Sequence, residues 1–143
     1  MIDRSLILQM TADVIIRTAA VFALFLLFRG HNAPGGGFVA GLVVVSGLVI
    51  RLVASGRVRA RQSLPAPPAT IMGLGLALAL ATGIAGWVWG DAFLEAAKVT
   101  LDVPLLGEMH MTSALLFDIG VFMVVIGVGT ALVLALAETE NGP

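Results

Sequence analysis

The chain has 143 residues, of which 59% are hydrophobic and only 12% charged, with a formal net charge of -1. Soluble domains carry charge at about twice that frequency; at a mean hydropathy of +1.04 the chain cannot cover itself with polar groups, so part of its solvent must be lipid. No basic excess supports nucleic-acid binding, and the absence of cysteine excludes disulfides, thiolate catalysis and Cys-ligated metals.

Crossing the hydrocarbon core takes about 20 helical residues, and the sequence offers segments of that length. The expected fold is therefore an all-α integral membrane protein, a bundle of about four transmembrane helices in a single membrane domain over residues 1–143. The first span runs from about Leu6 to Phe28 and carries Asp13 and Arg17. No small-residue cleavage site follows it, so it reads as a retained helix rather than a removed signal peptide. The second, from about Phe38 to Ala54, is short and glycine-bearing, with Arg51 near its end. A basic loop over residues 55–68 follows, with Arg57, Arg59 and Arg61, and it closes on Pro65-Ala66-Pro67-Pro68, which cannot continue a helix.

The third span, about Ala69 to Gly90, is uncharged and ends in Trp87 and Trp89, where an interfacial aromatic belt is expected. Its stretch Gly73 to Leu80 alternates as a strand would. The alternation is small against large within a wholly apolar run, whereas barrel strands turn polar groups to the lumen; helix is the better reading. The connection over residues 91–110 is acidic, with Asp91, Glu95, Asp102 and Glu108 against Lys98. The fourth span, about Met109 to Ala137, contains one charge, Asp118. Basic residues mark the cytoplasmic side. That rule places the 55–68 loop and both termini in the cytoplasm, and the loops at 29–37 and 91–110 outside.

Asp118 is the sharpest single feature. A fourth helix starting at Met109 puts it about 13 Å into the span, where a carboxylate is costly unless protonated, paired or hydrated. It reads either as a proton- or cation-relay group or as a structural carboxyl that bonds a neighbouring helix. Asp13 and Arg17, four residues apart, share a helix face and can pair. Arg17 could serve Asp118 as well, or could snorkel from an interfacial position.

The loop Arg29-Gly30-His31-Asn32-Ala33-Pro34-Gly35-Gly36-Gly37-Phe38 is the most distinctive stretch. Proline and three glycines permit tight backbone geometry, which a membrane tolerates only where protein or a water-filled cavity buries it. A phosphate-cradling loop would need Lys-Ser/Thr after the glycines; Phe38 and Val39 stand there instead. An ion-coordinating re-entrant element and a tight connection docked on another subunit stay open. His31 and His110 could titrate near neutral pH, but neither has companions at metal-ligand spacing. Gly73, Ala77, Ala81 and Ala85 form a small-xxx-small strip on the third helix, and Gly120 and Gly127 a similar one on the fourth; such strips let helices approach closely.

Taken together, Gly30-His31-Asn32-Ala33-Pro34-Gly35-Gly36-Gly37-Phe38 and Leu116-Phe117-Asp118-Ile119-Gly120-Val121 resemble the B subunit of Mrp-type multisubunit Na+/H+ antiporters, the MnhB/MrpB family. The resemblance covers nearly the whole chain, with Phe122 standing where tyrosine is expected in many relatives. It implies a bacterial plasma-membrane subunit with other antiporter subunits and the bilayer as partners, and Na+ and H+ as the exchanged ions. No lysine within a span and no proline-broken helix is present, which favours a supporting role. On this reading Asp118, Asp13 and Arg17 are relay or inter-subunit polar contacts, and His31, Asn32, Pro34, Gly35, Gly36 and Gly37 form the motif loop. A purely structural assembly subunit, or the equivalent subunit of a membrane-bound hydrogenase-like complex, are the alternatives. With no nucleophile–base set, metal cluster or cofactor motif in the sequence, neither an enzyme, a metal nor a cofactor is expected.

Overall fold

The structure is a computed structural model that describes residues 6–29, 36–88, 99–103, 107–111 and 113–139. Helix α1 spans Leu6–Arg29, α2 Gly36–Ser55, α3 Arg57–Gln62, α4 Pro68–Val88 and α5 Ser113–Thr139, with strands β1 (Val99–Val103) and β2 (Gly107–Met111) before α5. Helices α1, α2, α4 and α5 are each long and apolar enough to cross a membrane. At 1.5 Å per residue the 20 residues of α2 reach about 30 Å, the thickness of the hydrocarbon core, while the 27 of α5 reach about 40 Å and overshoot it.

The basic loop is not irregular throughout. Gly56, at φ 84°, takes a positive φ that glycine adopts readily and that breaks the helix between α2 and α3, and its N–H donates to the Leu52 carbonyl at 2.9 Å. The chain then turns directly into α3. Pro68 opens α4 at the position where a missing N–H costs nothing, and the Pro67 carbonyl accepts from the Ile71 N–H at 3.1 Å.

A second difference lies before the last span. Residues 107–111 are not the start of α5: they pair antiparallel with 99–103, Val99 opposite Met111 and Val103 opposite Gly107. The alternating, β-branched segment Val99-Thr100-Leu101-Asp102-Val103, followed by Pro104 and Gly107, carries the signal for this hairpin. The helix expected from Met109 therefore begins at Ser113.

The four long helices stand in a row, α1–α2–α5–α4, in which α1 touches α5 only lightly and α4 packs extensively against α5 alone. Neighbours α1 and α2 run antiparallel, as do α4 and α5. Helices α2 and α5 run parallel: Gly37 meets Asp118 and Phe122, Gly41 meets Phe122 and Val125, and Val45 meets Gly129. An open row buries little of itself. Only 22% of the α1, α4 and α5 spans and 33% of α2 lie inside the chain, and the outward residues are apolar, such as Val14, Val21, Leu74, Leu80, Leu132 and Leu136.

The interior cluster joins three helices. Ala23 and Leu27 of α1 and Ala40 of α2 are buried, with Val43, Val44, Ile119 and Phe122 packed against them. At the other end, α3 ties the two chain ends together: Arg57 pairs with Glu138 at the end of α5, and Arg59 donates to Gln9 near the start of α1. Both termini of the helical row thus lie at one end.

Candidate functional site

Asp118 is the sixth residue of α5, half-buried, and about 7.5 Å from the helix start. The hairpin takes up residues 107–111, so Asp118 lies in the second turn of α5 and not nine residues into it. What faces it is the first turn of α2. A Cβ built on Gly36 would lie 2.9 Å from Asp118 Oδ2, and one on Gly37 would lie 2.0 Å from the Asp118 backbone oxygen and 3.0 Å from the Phe122 nitrogen. Gly36 itself has φ 43°, a conformation that side chains with a Cβ adopt at a cost.

Two stretches about eighty residues apart in sequence, the triglycine loop and the Asp118 helix, therefore meet as one contact. The chemistry is complementary. The first turn of a helix leaves backbone N–H groups without intrahelical partners and carries partial positive charge. The Asp118 carboxylate lies against that end of α2. Gly36 and Gly37 admit the carboxyl and its backbone because neither has a side chain to displace it. His31, Asn32, Pro34 and Gly35 lie outside the described residues. Among the described residues no three His, Cys, Asp or Glu side chains gather at one point, so the chemistry available here is that of a carboxylate on a helix end.

The other polar residues lie elsewhere. Asp13 does not pair with Arg17: its Oδ1 is 3.3 Å from Nη2 of Arg51 on α2. The register of α1 on α2 decides this. A Cβ on Gly47 would lie 3.1 Å from the Ala19 Cβ, so the helices close up there, and Arg51, one turn further along α2, arrives beside Asp13. Arg17, one turn along α1 from Asp13, is left exposed. Nor does Arg17 serve Asp118. It stands level with Gly47, whereas Asp118 stands level with Gly37, ten residues or about 15 Å along α2.

Arg51 is the residue that sequence reasoning missed, although a lone charge inside an apolar segment was its signal. Its Nε is buried without a partner, as is the Ser55 hydroxyl. Asp13→Asn is expected to lower stability by about 1–2 kcal/mol, at the low end for a buried pair because the two side chains keep 40% and 21% exposure. Adding Arg51→Leu should restore part of that loss, since the second change removes the stranded charge. Melting temperatures of the four species in mild detergent close the cycle; a double variant less stable than Asp13→Asn contradicts it.

A polytopic membrane protein with four spans, whose distinctive residues meet at a helix–helix contact, is the class that fold and site define. Within that class the sequence matches, over residues 7–131, the family described as a domain related to the MnhB subunit of Na+/H+ antiporter; the chain belongs to the MnhB family. It is 36% identical to the B subunit of the Na(+)/H(+) antiporter of Bacillus subtilis over 140 residues, covering 92% of this chain and 98% of the relative. It is 33% identical to the protein of the same name from Alkalihalophilus pseudofirmus, over 96% of each. A third relative, the A/B subunit of a probable K(+)/H(+) antiporter of Rhizobium meliloti, is 37% identical over 118 residues, which is 82% of this chain and 12% of that much longer protein.

Proposed function

We propose that this chain supports the exchange of monovalent cations for protons by holding other parts of the machinery in place, with Asp118 as the carboxyl that fixes the triglycine end of α2 against α5. The chain is a subunit of a multisubunit cation/proton antiporter, as its family and its relatives support. The observation that carries the supporting role is the Gly37 contact: α2 touches the Asp118 backbone so closely that a single methyl group would lie 2.0 Å from the carbonyl oxygen. A carboxyl built into such a contact positions a loop. The basic helix α3 lies at the same end as both termini, which supports a cytoplasmic location for them in a bacterial plasma membrane.

Asp118→Asn tests this reading. The amide has the size of the carboxyl and keeps one acceptor oxygen, so the complex should stay intact on a native gel and antiport in membrane vesicles should stay within about threefold of wild type, a change of less than 1 kcal/mol. Asp118→Leu, which keeps no acceptor, should lose complex and antiport together. Antiport abolished by Asp118→Asn in an intact complex would instead make Asp118 a proton carrier.

Sodium is the cation of the first reading, and the Rhizobium relative named for K+ favours a second in which potassium is exchanged. Relatives named for different cations share this subunit, which fits a supporting role. Vesicle assays with each cation in turn separate the two.

A further inference from the structure

Helix α3 carries arginine at 57, 59 and 61 within six residues. It lies at the ends of three spans. It starts two residues after α2 stops, Arg57 pairs with Glu138 in the last turn of α5, and Arg59 donates to Gln9 in the first turn of α1. That is the depth of the headgroup layer, about 6 Å of polar material on each side of the hydrocarbon core. One side of α3 is turned inward, with Ala60 fully buried. Val58, two residues and so about 200° away round the helix, is 72% exposed.

The outward side of α3 forms one surface. Arg57, Val58, Arg61 and Gln62 together line a shallow hollow of about 450 Å³. Spacing of four residues sets the two guanidiniums side by side, and Val58 and Gln62 likewise. Glu138 offsets the charge of Arg57, but that pair is largely exposed, and a guanidinium with five N–H donors keeps some for a second acceptor. Arg61 makes no ion pair among the described residues. The hollow therefore carries one net positive charge and donors from two guanidiniums, beside an isopropyl group that gains by leaving water.

We infer that the outward face of α3 binds an anionic phospholipid, with its phosphate held by Arg61 and Arg57 and its first acyl carbons against Val58. Charge complementarity selects an anion, and the planar guanidinium matches phosphate oxygens. Val58 and the depth of α3 select the lipid. A free phosphate would satisfy the arginines and leave the valine in water, whereas a phospholipid brings phosphate and hydrocarbon to one place at this depth. The inference needs only that the row crosses a bilayer, and it does not depend on how the chain supports exchange.

The test uses the full chain in bicelles in which phosphatidylglycerol replaces phosphatidylcholine stepwise. In native mass spectra the wild type should retain phosphatidylglycerol in preference to phosphatidylcholine, and its melting temperature should rise with the phosphatidylglycerol fraction. Arg61→Gln should need about fivefold more phosphatidylglycerol for the same retention. In pure phosphatidylcholine it should melt with the wild type, because no described ion pair depends on Arg61. Val58→Ser should weaken retention as well, and inorganic phosphate should not displace the lipid. Arg59→Gln is the control: its guanidinium is engaged by Gln9, so it should lower the melting temperature alike in both lipids and leave retention unchanged. Retention unaffected by Arg61→Gln overturns the inference, as does equal retention of the two lipids. Displacement by inorganic phosphate, with no effect of Val58→Ser, makes the hollow a free-phosphate site. Loss of a co-purifying protein with Arg61→Gln, at unchanged lipid retention, makes it a protein-docking site. Either of those results also overturns the inference.

Discussion

Gly37→Ala is expected to be the most damaging single methyl group that can be added to this chain. The new Cβ would lie 2.0 Å from the Asp118 carbonyl oxygen and 2.9 Å from its carbon, and both are backbone atoms. No rotamer change relieves a clash with backbone, so α2 and α5 must part by about 1.5 Å to restore van der Waals distance. That displacement also opens the cluster in which Ala23, Leu27 and Ala40 pack against Ile119 and Phe122. Overpacking of a tight core costs about 1–3 kcal/mol, and more where backbone must move; the upper end applies here. The neighbouring change provides the scale. Gly36→Ala meets the end of the Asp118 side chain at 2.9 Å, which can swing aside, and adds the penalty of φ 43°. It should cost about 1–2 kcal/mol. Thermal stability in detergent and yield of intact complex should both rank wild type above Gly36→Ala and Gly36→Ala above Gly37→Ala. Equal stability of Gly37→Ala and wild type would mean that the contact is not formed.

The second large effect is expected at the crossing of α4 and α5. A Cβ on Gly120 would lie 2.8 Å from the Gly75 oxygen and 2.8 Å from the Ala79 nitrogen, backbone on both counts. Lower in the same seam, Gly127 faces Met72 and the Pro68 carbonyl just as closely. Helix α4 has α5 as its main neighbour, so Gly120→Leu removes the support of a whole span. The expected loss is about 3 kcal/mol or more, read as release of α4 to proteases or as a lowered melting temperature. Gly73→Ala is the contrast. Nothing lies within 4 Å of its added methyl, and alanine favours helix over glycine, so stability should stay level or rise by up to about 1 kcal/mol. A Gly120→Leu variant as stable as Gly73→Ala would refute the packing described for α4.

These two seams show what the sequence could and could not reveal. Runs of apolar residues name the spanning helices because the bilayer admits few other structures. They do not say which face of a helix meets which neighbour. The stretch from Gly73 to Ala85 alternates small and large residues, so it holds two interleaved small strips, Gly73-Ala77-Ala81-Ala85 and Gly75-Ala79-Gly83, on nearly opposite faces. Sequence reasoning takes the first; α5 packs on the second, and Gly73, Ala77 and Ala81 stay exposed. Only the positions of Gly120 and Gly127 on the partner helix decide between them. On α2, Gly37 and Gly41 were spaced for close packing and pass unremarked beside the longer loop motif.

The site was legible in its parts and not in its assembly. Asp118 and the triglycine loop are each conspicuous, one as a charge in an apolar helix and the other as a backbone no ordinary loop needs. Their meeting depends on α2 and α5 running parallel, with the first turn of α2 level with the second turn of α5. Asp13 and Arg17 obey the helical spacing for a pair, but a third charge, Arg51, reaches Asp13 from another helix. Local spacing ranks partners on one helix; it cannot weigh a partner brought by tertiary register.

The order of the row has a consequence for biosynthesis. Helices α1 and α2 are consecutive and antiparallel, so they can pair as soon as both have left the ribosome. Helix α4 cannot, because the helix it packs against is the last to be made. At cellular rates of synthesis α4 waits in lipid for roughly a few seconds without its neighbour. Helix α5 must then enter between two elements already in the membrane and form both seams at once. A chain interrupted before Ser113 would hold one settled hairpin and one solitary helix, with only the Gly36–Gly37 side of the Asp118 contact in place.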